Sequence, residues 1–218
     1  MIKGLAKKKI LMAALAVVVL GLAAGLFETD SGLGPAGSSS GGSPSSADAA
    51  KGGRVVIPPS APPSYREAIR YYEGDGVPKD LAEARRLFIQ AAEEGLAEAQ
   101  AFAAAMIGSG EGGPKDKAEA RRLYTLSSRQ GYAPAQYNLA VMSYSGQGGP
   151  EDKAEARHLF ALAAKQGHAE AGNGLALMLK RGEGGPEDKV EARRLFFVAV
   201  NQGSLNALVG LGSMLYIW

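Results

Sequence analysis

The sequence predicts an all-α protein, an α/α solenoid (superhelix) of helix pairs, because three patterns return every 36 residues. The first is the tripeptide Glu-Ala-Arg, which begins at residues 83, 119, 155 and 191. A proline and a glycine recur in step with it, at Pro78, Pro114, Pro150 and Pro186 and at Gly95, Gly131, Gly167 and Gly203. A repeat of this length indicates supersecondary units that bury their apolar faces by stacking on one another.

Helix B, the second helix of each unit, is predicted to begin at an aspartate that is followed three residues later by a glutamate. The four pairs are Asp80/Glu83, Asp116/Glu119, Asp152/Glu155 and Asp188/Glu191. Aspartate at the N-cap and glutamate at the third helical position can satisfy free backbone N–H groups reciprocally, as in a capping box. We therefore interpret these acids as helix caps. Ala84, Leu87, Phe88 and Ala91 have the spacing of one buried helix face, and Gly95 suits a left-handed C-terminal cap.

Helix A, the first helix of each unit, is predicted over residues such as 133–142 and is joined to helix B by a glycine-rich loop. These loops lie at 110–113, 146–149 and 182–185. Their glycines could suggest a phosphate-binding loop, but no Lys-Ser/Thr follows them and the next helix begins with acidic residues that repel phosphate. A turn role is therefore predicted.

Composition excludes several classes of function. Residues 55–218 contain 18 Lys and Arg and 19 Asp and Glu, a net charge of −1, and no basic face is evident, so nucleic acid is not an expected partner. The chain has no cysteine and two histidines, which argues against disulfides, thiolate catalysis and zinc fingers. His158 is interpreted as a surface residue and His168 as a packing residue of a turn. We expect no metal and no cofactor.

The N-terminal residues 1–27 are predicted to be a signal anchor or a signal peptide. Lysines at positions 3, 7, 8 and 9 precede an apolar run over residues 10–27. As a helix, this run would span about 27 Å, just under the thickness of a hydrocarbon core. An uncleaved membrane anchor is favoured, and a cleaved signal peptide is the alternative, with small-x-small sites at 21–23 and 23–25. In either case the remaining chain is translocated.

Residues 28–63 are predicted to be a disordered linker. Gly, Ser, Pro and Ala dominate this segment, and it cannot bury enough apolar surface to offset the entropy of ordering it. The short apolar run 54–57 either belongs to this linker or lies against the first repeat. The linker would leave the repeat domain free to move near a membrane.

Residues 64–218 resemble the Sel1-like repeat family, which is related to the tetratricopeptide repeats. The resemblance rests on Ala-x-Ala-Gln-Tyr-Asn-Leu-Ala-x-Met at 133–142, Gly-x-Gly-Gly-Pro at 146–150, Asp-x-x-Glu-Ala-Arg-x-Leu-Phe at 152–160 and Ala-Ala-x-x-Gly at 163–167. It implies a superhelix whose A helices line the concave face and which acts mostly as an adaptor. Some cysteine-rich members are linked to β-lactam binding or hydrolysis, but this chain lacks their cysteines.

The resemblance also indicates which residues would line a peptide-binding groove. Related repeats use helix-A positions two before, two after and five after the leucine of the Leu-Gly/Ala pair, here Leu139. The candidate groove residues are Tyr65, Tyr72, Tyr137, Val141, Tyr144, Asn173, Lys180 and Tyr216, and the same rule selects Ile69, Leu177, Val209 and Ser213. Tyrosine combines a large apolar area with a polar tip, which suits peptide recognition. The alternative is that these rings fill gaps between neighbouring helices.

The C-terminal end of the array is predicted to consist of a final unpaired helix A after four units of 36 residues. Solenoids generally need a polar terminal cap, but this end is apolar. Its apolar residues are Leu208, Leu211, Met214, Leu215, Ile217 and Trp218. We expect part of this surface to be exposed and to support a homodimer or the docking of a partner. A truncated reading frame is the alternative.

These observations together predict a non-catalytic protein–protein interaction scaffold of the bacterial cell envelope that binds a partner peptide in its concave groove. The predicted location is the bacterial inner membrane, with a single span and the repeat domain in the periplasm, or the soluble periplasm after signal cleavage. The alternatives are a structural protein that self-assembles through its uncapped end and, less favoured, a cell-wall or β-lactam hydrolase. A hydrolase would need a nucleophile and a base, and the sequence shows no such pair.

Overall fold

The computed structural model describes residues 57–215, and this part of the chain contains nine α-helices and no strand. The helices are α1 (Pro63–Glu73), α2 (Leu81–Glu93), α3 (Ala97–Ser109), α4 (Lys117–Arg129), α5 (Ala133–Ser145), α6 (Lys153–Lys165), α7 (Ala169–Arg181), α8 (Lys189–Asn201) and α9 (Leu205–Leu215). Odd-numbered helices are the A helices and even-numbered helices are the B helices. Each helix packs on its neighbours along the chain, and α9 also packs on α7. The predicted all-helical solenoid is confirmed.

The predicted signal or anchor segment at 1–27 lies outside the described residues, as does most of the predicted linker. Between residues 57 and 215, every helix is too short or too polar to cross a bilayer. The end of the linker packs against the first repeat, because Ala61 is buried in the core and the guanidinium of Arg66 donates to the carbonyl of Pro59 at 2.9 Å.

The N-terminus of each helix B is tied to the preceding helix A. The side chain of Asp80 accepts from the N–H groups of Ala82 and Glu83, as predicted. The reciprocal half of the capping box is wrong, because the Asp80 N–H donates to the carbonyl of Tyr71 on α1 at 3.0 Å. Glu83 therefore makes no capping bond, and its carboxylate pairs instead with the guanidinium of Arg86 at 2.6 Å. The same backbone bond joins the helices of the other units.

The glycine-rich loops hold successive units together. Gly112 has φ of +70°, and a Cβ there would collide with the carbonyl oxygen of Leu81 at the start of the preceding helix B. The arginine of the first three Glu-Ala-Arg tripeptides completes this seam, since Arg85 donates to the carbonyl of Pro114 at 2.8 Å. Arg121 and Arg157 donate in the same way to the prolines of the next two loops. The loops are turns, as predicted, and they also form contacts between successive units.

The core is a continuous stripe of small and aromatic side chains between the A and B helices. All four residues of the predicted helix-B face are buried, namely Ala84, Leu87, Phe88 and Ala91. Alanines dominate the remaining core positions, which lets neighbouring helices approach closely. Gly95 adopts φ of +94° after α2, which confirms the predicted left-handed cap.

Candidate functional site

The candidate site is the A-helix face, which we define as the surface formed by helix-A side chains at the three register positions chosen from the sequence. Its half-buried members are Tyr72, Tyr137, Val141, Tyr144, Leu177 and Lys180. Three candidates are instead buried, with Tyr65 at 1%, Ile69 at 4% and Asn173 at 7% exposure. Val209 and Ser213 are exposed, and Tyr216 lies outside the described residues. The accessible part of the A-helix face therefore lies mainly on α5, α7 and α9.

Tyr65 is a packing residue in the free protein. Its ring meets the edges of Phe88 and Phe102 at centroid distances of 5.7 and 6.0 Å. Burial raises the pKa of its hydroxyl above the ordinary value for tyrosine. Tyr72 contacts the same two phenylalanines from the side, and the ammonium group of Lys79 lies 5.6 Å from the centre of its ring. Phe88 and Phe102 thus cover Tyr65, whereas Tyr72 is half-buried.

Tyr137 is held by a stacked histidine. Its ring lies 4.6 Å from that of His168 with an interplanar angle of 19°, and the ring of Phe160 lies 5.9 Å away. Burial, followed by the negative charge of Glu170, raises the pKa of Tyr137 to about 12. These neighbours fix the ring on the A-helix face while leaving it half-exposed.

His168 is also the N-cap of α7. Its Nδ1 accepts a hydrogen bond from the N–H of Ala171 at 3.2 Å, and burial lowers the pKa of the imidazole. The predicted packing role of His168 in a turn is confirmed, whereas its contact with Tyr137 is not evident from the sequence. His158 is exposed on α6, as predicted.

Tyr144 belongs to a polar cluster that we call the Tyr144–Glu183–Lys153 cluster. The Tyr144 hydroxyl donates to the carboxylate of Glu183 at 3.0 Å, and the ammonium group of Lys153 lies 3.0 Å from the same carboxylate. The Lys153 ammonium group is also 5.2 Å from the centre of the Tyr144 ring. Burial first, and then the bond to Glu183, raises the pKa of Tyr144. The cluster fixes the tyrosine across the junction between two units.

Sequence reasoning missed Lys153 and Glu183, although a signal was present. A lysine recurs in register at Lys117, and the residue in register with Glu183 is Gln147. Lys117 donates to Gln147 at 2.8 Å, so the same link joins the preceding pair of units. A repeated pair of residues 30 positions apart could have indicated this contact.

Polar side chains link α7 with α9 at the edge of the A-helix face. Lys180 donates to the hydroxyl of Ser213 at 2.9 Å, and Asn206 donates to the carboxylate of Glu170 at 3.0 Å. Both bonds connect α7 with α9 and leave charged groups at the edges of the face. No group of three or more His, Asp or Glu side chains within residues 57–215 is arranged to hold a metal ion.

One serine lies beside a carboxylate and invites a catalytic interpretation. Ser143 donates to Glu155 at 2.8 Å and accepts from Arg121 at 3.2 Å. The serine is completely buried, so a substrate cannot reach its oxygen in this structure. The unit also has a histidine, His158, where the other units place the arginine that pairs with the N3 glutamate. Glu155 therefore turns to Ser143 and Arg121, which is a structural contact between units.

The family model for the Sel1 repeat matches residues 61–73, 64–96, 97–132, 133–168 and 169–204. The chain belongs to the Sel1 repeat family. Proteins with Sel1 repeats generally mediate protein–protein interactions and are typically non-catalytic scaffolds. No curated protein matches the chain.

Solved structures with Sel1 repeats resemble the chain. A Sel1 repeat protein from Oxalobacter formigenes is 29% identical, with a TM-score of 0.62, and the match covers 66% of this chain and 42% of that one. The protein c5321, a protective antigen of uropathogenic Escherichia coli with an SLR fold, is 27% identical, with a TM-score of 0.48 and coverage of 70% and 40%. This chain thus spans less than half the length of either protein.

At and beyond the end of the last matched Sel1 repeat, the chain exposes apolar side chains. Phe197 is 56% exposed, Leu205 76% and Val209 73%. In the earlier Sel1 repeats, the residues in register with Phe197 are half-buried because the next unit lies beside them. Met214, which the sequence placed among the apolar residues of this end, is buried. The side chains of residues 215–218 lie outside the description.

Proposed function

We propose that this Sel1 repeat protein is a non-catalytic scaffold that binds a peptide segment of a partner protein on its A-helix face. The observation that carries the proposal is the arrangement of Tyr137, Val141 and Tyr144 on one face of α5, all half-buried. Tyrosines with an accessible apolar surface and a polar tip are enriched at protein interfaces. The interactions typical of the family support the same function.

The two tyrosines are held in place before any partner arrives. His168 and Phe160 pack against Tyr137, whereas Glu183 and Lys153 hold Tyr144. Side chains that are already ordered lose less conformational entropy on binding than mobile ones. This pre-organisation supports a recognition role for the second tyrosine pair in preference to the first, whose Tyr65 is covered by Phe88 and Phe102.

A pull-down with cross-linking tests the proposal. The baits are the full chain and its Tyr137→Ala/Tyr144→Ala variant, incubated with an envelope extract. The control is Phe197→Ala, which removes an exposed aromatic ring from α8 and leaves the A-helix face intact. We expect the wild type and the control to capture a protein that the double variant loses, while circular dichroism shows equal helicity. Equal capture by all three baits would contradict the proposal.

The proposed location is the bacterial cell envelope, with residues 10–27 as a single-pass anchor in the inner membrane and the repeats in the periplasm. The lysines before the apolar run support this orientation. A soluble periplasmic protein after cleavage within 21–25 is the alternative. A fusion of alkaline phosphatase after residue 218 should be active in cells, and detergent should be needed to extract it. Activity of a cytoplasmic reporter at the same site would refute this location.

A second candidate function is self-assembly through the C-terminal end. The exposed side chains of Phe197, Leu205 and Val209 support it. In a two-fold dimer, this surface would be buried against the same surface of a second copy of the chain. Sedimentation of the wild type should then show a dimer that a Leu205→Lys/Val209→Lys variant dissociates. A monomer at the highest attainable concentration would exclude this mode of assembly.

A further inference from the structure

Asn173 is the exception among the buried polar side chains. It lies on α7 at the register position of Tyr137 and is 7% exposed. Its Oδ1 is the single buried side-chain nitrogen or oxygen atom within residues 57–215 that lacks a hydrogen-bond partner. Buried polar groups in native proteins are nearly always paired, so an unpaired amide oxygen needs an explanation.

The other buried polar side chains of the described part all have partners. Ser127 donates to the carbonyl of Ala97, Gln136 accepts from Gln166, and Gln100 donates to the carbonyl of Ala92. Ser64, Ser143, His168 and Ser204 are bonded as well. The fold therefore satisfies its polar groups wherever they serve the packing of the units, and Asn173 does not follow this rule.

The solenoid does not require an amide at this position. The residues in register with Asn173 are Ala101 in the second unit and Val209 in α9. An apolar side chain of similar size would avoid the cost of burying an unpaired oxygen. The asparagine thus lowers the stability of the free chain, and a function on the A-helix face explains its presence there.

We propose that Asn173 is a main-chain recognition residue: its amide, buried in the free protein, turns about the Cβ–Cγ bond when an extended peptide binds on the A-helix face, and Oδ1 then accepts an N–H group from the peptide backbone. This inference rests on the proposed peptide-binding function. The free atom is an acceptor, so its ligand must supply a donor, and every non-proline residue of a peptide carries one. Tyr137 at the same position of α5 and Leu177 one turn further along α7 provide half-buried apolar surface for the flanking side chains.

The test uses peptides selected from a random twelve-residue phage-displayed library on the full-length wild-type protein. Selected peptides are synthesised, and their Kd values are measured for the wild type, Tyr137→Ala/Tyr144→Ala, Asn173→Val and Asn173→Ala. Asn138→Ala is the matched control, because the Asn138 amide is already bonded to the carbonyl of Pro134. Asn173→Val and Asn173→Ala introduce the side chains that the chain itself uses in register, so each should fold.

Loss of one neutral hydrogen bond is expected to weaken binding about five- to tenfold in both Asn173 variants but not in Asn138→Ala. Each peptide is also made with one backbone nitrogen methylated at a time. One N-methylated peptide should bind the wild type about five- to tenfold more weakly than the parent peptide. The same methyl group should cost no further affinity for Asn173→Val, since the acceptor is gone. The free Asn173→Val variant should have a higher Tm than the wild type.

Two results separate the failure of this inference from that of the proposed function. If Tyr137→Ala/Tyr144→Ala abolishes binding but the N-methyl profiles of wild type and Asn173→Val coincide, the groove stands and the role of Asn173 is refuted. A lower Tm for Asn173→Val with unchanged affinity would likewise assign the amide a structural role through an internal water. If no peptide is selected, or if binding does not depend on the tyrosines, the proposed function fails and this inference fails with it.

Discussion

The first and third units carry a tyrosine pair at the same two register positions, yet only the third presents both rings half-exposed. Tyr65 and Tyr137 each lie next to the phenylalanine of their own helix B, Phe88 or Phe160. The difference comes from the following helix A. It places Phe102 beside Tyr65, whereas the residue in register with Phe102 in the later unit is Gly174, which lies against Phe160.

Phe102 changes the surroundings of the first pair completely. Its ring stacks on Phe88 with a centroid distance of 4.9 Å, and both tyrosines of the first unit meet this stack. Gly174 instead leaves room for the ring of Phe160, and the ring of His168 stacks on that of Tyr137. A register position in a solenoid thus does not determine the role of its side chain, because residues from the next unit decide whether it is covered.

The largest expected effect is a difference between two alanine substitutions. Tyr65→Ala should lower the free energy of unfolding by about 3–5 kcal/mol, the usual cost of removing a buried aromatic ring. Tyr137→Ala should cost less, about 1–3 kcal/mol, since part of the ring is already exposed and the substitution removes its contacts with Phe160 and His168. Urea unfolding followed by circular dichroism measures both. Equal costs would mean that the two tyrosines are buried to the same extent in solution.

A smaller effect is expected at the two glycines of α7, which test why the third unit is open. A Cβ at Gly174 would lie 3.0 Å from the ring of Phe160, so Gly174→Ala should overpack the core and destabilise the protein by about 1–3 kcal/mol. Gly172→Ala is the matched control, because its Cβ would find the nearest atom at 3.5 Å. That control should stabilise the helix by up to about 1 kcal/mol.

Urea midpoints of the two glycine variants should therefore move in opposite directions from the wild type. If both variants are more stable, the ring of Phe160 can move away from residue 174 without cost. Tyr137 would then owe its half-exposed position to His168 alone.

The fold could be predicted from the sequence because its determinants are local and repeated. The aspartate caps and the glycine at the end of each helix B act within a few residues, and the period of 36 residues supplies the stacking order. The reciprocal capping box was wrong because the N–H of Asp80 is taken by Tyr71 of the preceding helix. That partner lies nine positions away and leaves no local pattern.

The candidate site could be predicted in position but not in detail. The spacing rule selected the A-helix face, yet it could not foresee that Phe102 covers Tyr65 or that Asn173 is buried. These outcomes depend on side-chain volumes one unit further along the chain. Lys153 and Glu183 were missed for another reason, because the spacing rule considers helix-A positions only and their contact lies between a loop and a helix B.

The burial of His168 at the N-cap of α7 should make the free energy of unfolding depend on pH. The folded-state pKa of His168 is lowered by burial, so the stabilising contribution is present above the unfolded pKa of about 6.5 and is lost as pH falls through the folded value. Protonated Nδ1 can no longer accept from Ala171, and Glu170 is the charged group that opposes the shift. The expected loss in acid is about 1 kcal/mol, typical of an N-cap.

Urea unfolding between pH 4.5 and 8 measures this dependence against His168→Ser. Serine is the native N-cap of α9, where Ser204 accepts from the N–H of Ala207, so the variant keeps a cap that does not titrate. The difference in unfolding free energy between the two proteins should change with pH in favour of the wild type above pH 6.5. A constant difference would show that His168 is not shielded from solvent. His158 is exposed and common to both proteins, so it cancels.

The smallest effect is expected in the Tyr144–Glu183–Lys153 cluster and concerns the pKa of one hydroxyl. Glutamine is the residue that the preceding unit uses in register, at Gln147. Glu183→Gln therefore removes the negative charge that accepts the hydrogen bond from the Tyr144 hydroxyl. The pKa of Tyr144 should fall, but not to the ordinary tyrosine value, because burial is the larger cause of its shift. Carbon-13 NMR of labelled tyrosine, assigned with Tyr144→Phe, can follow this titration. An unchanged pKa would mean that the bond to Glu183 is not populated in solution, and Tyr144 would then lose one of the two contacts that pre-organise it for a partner.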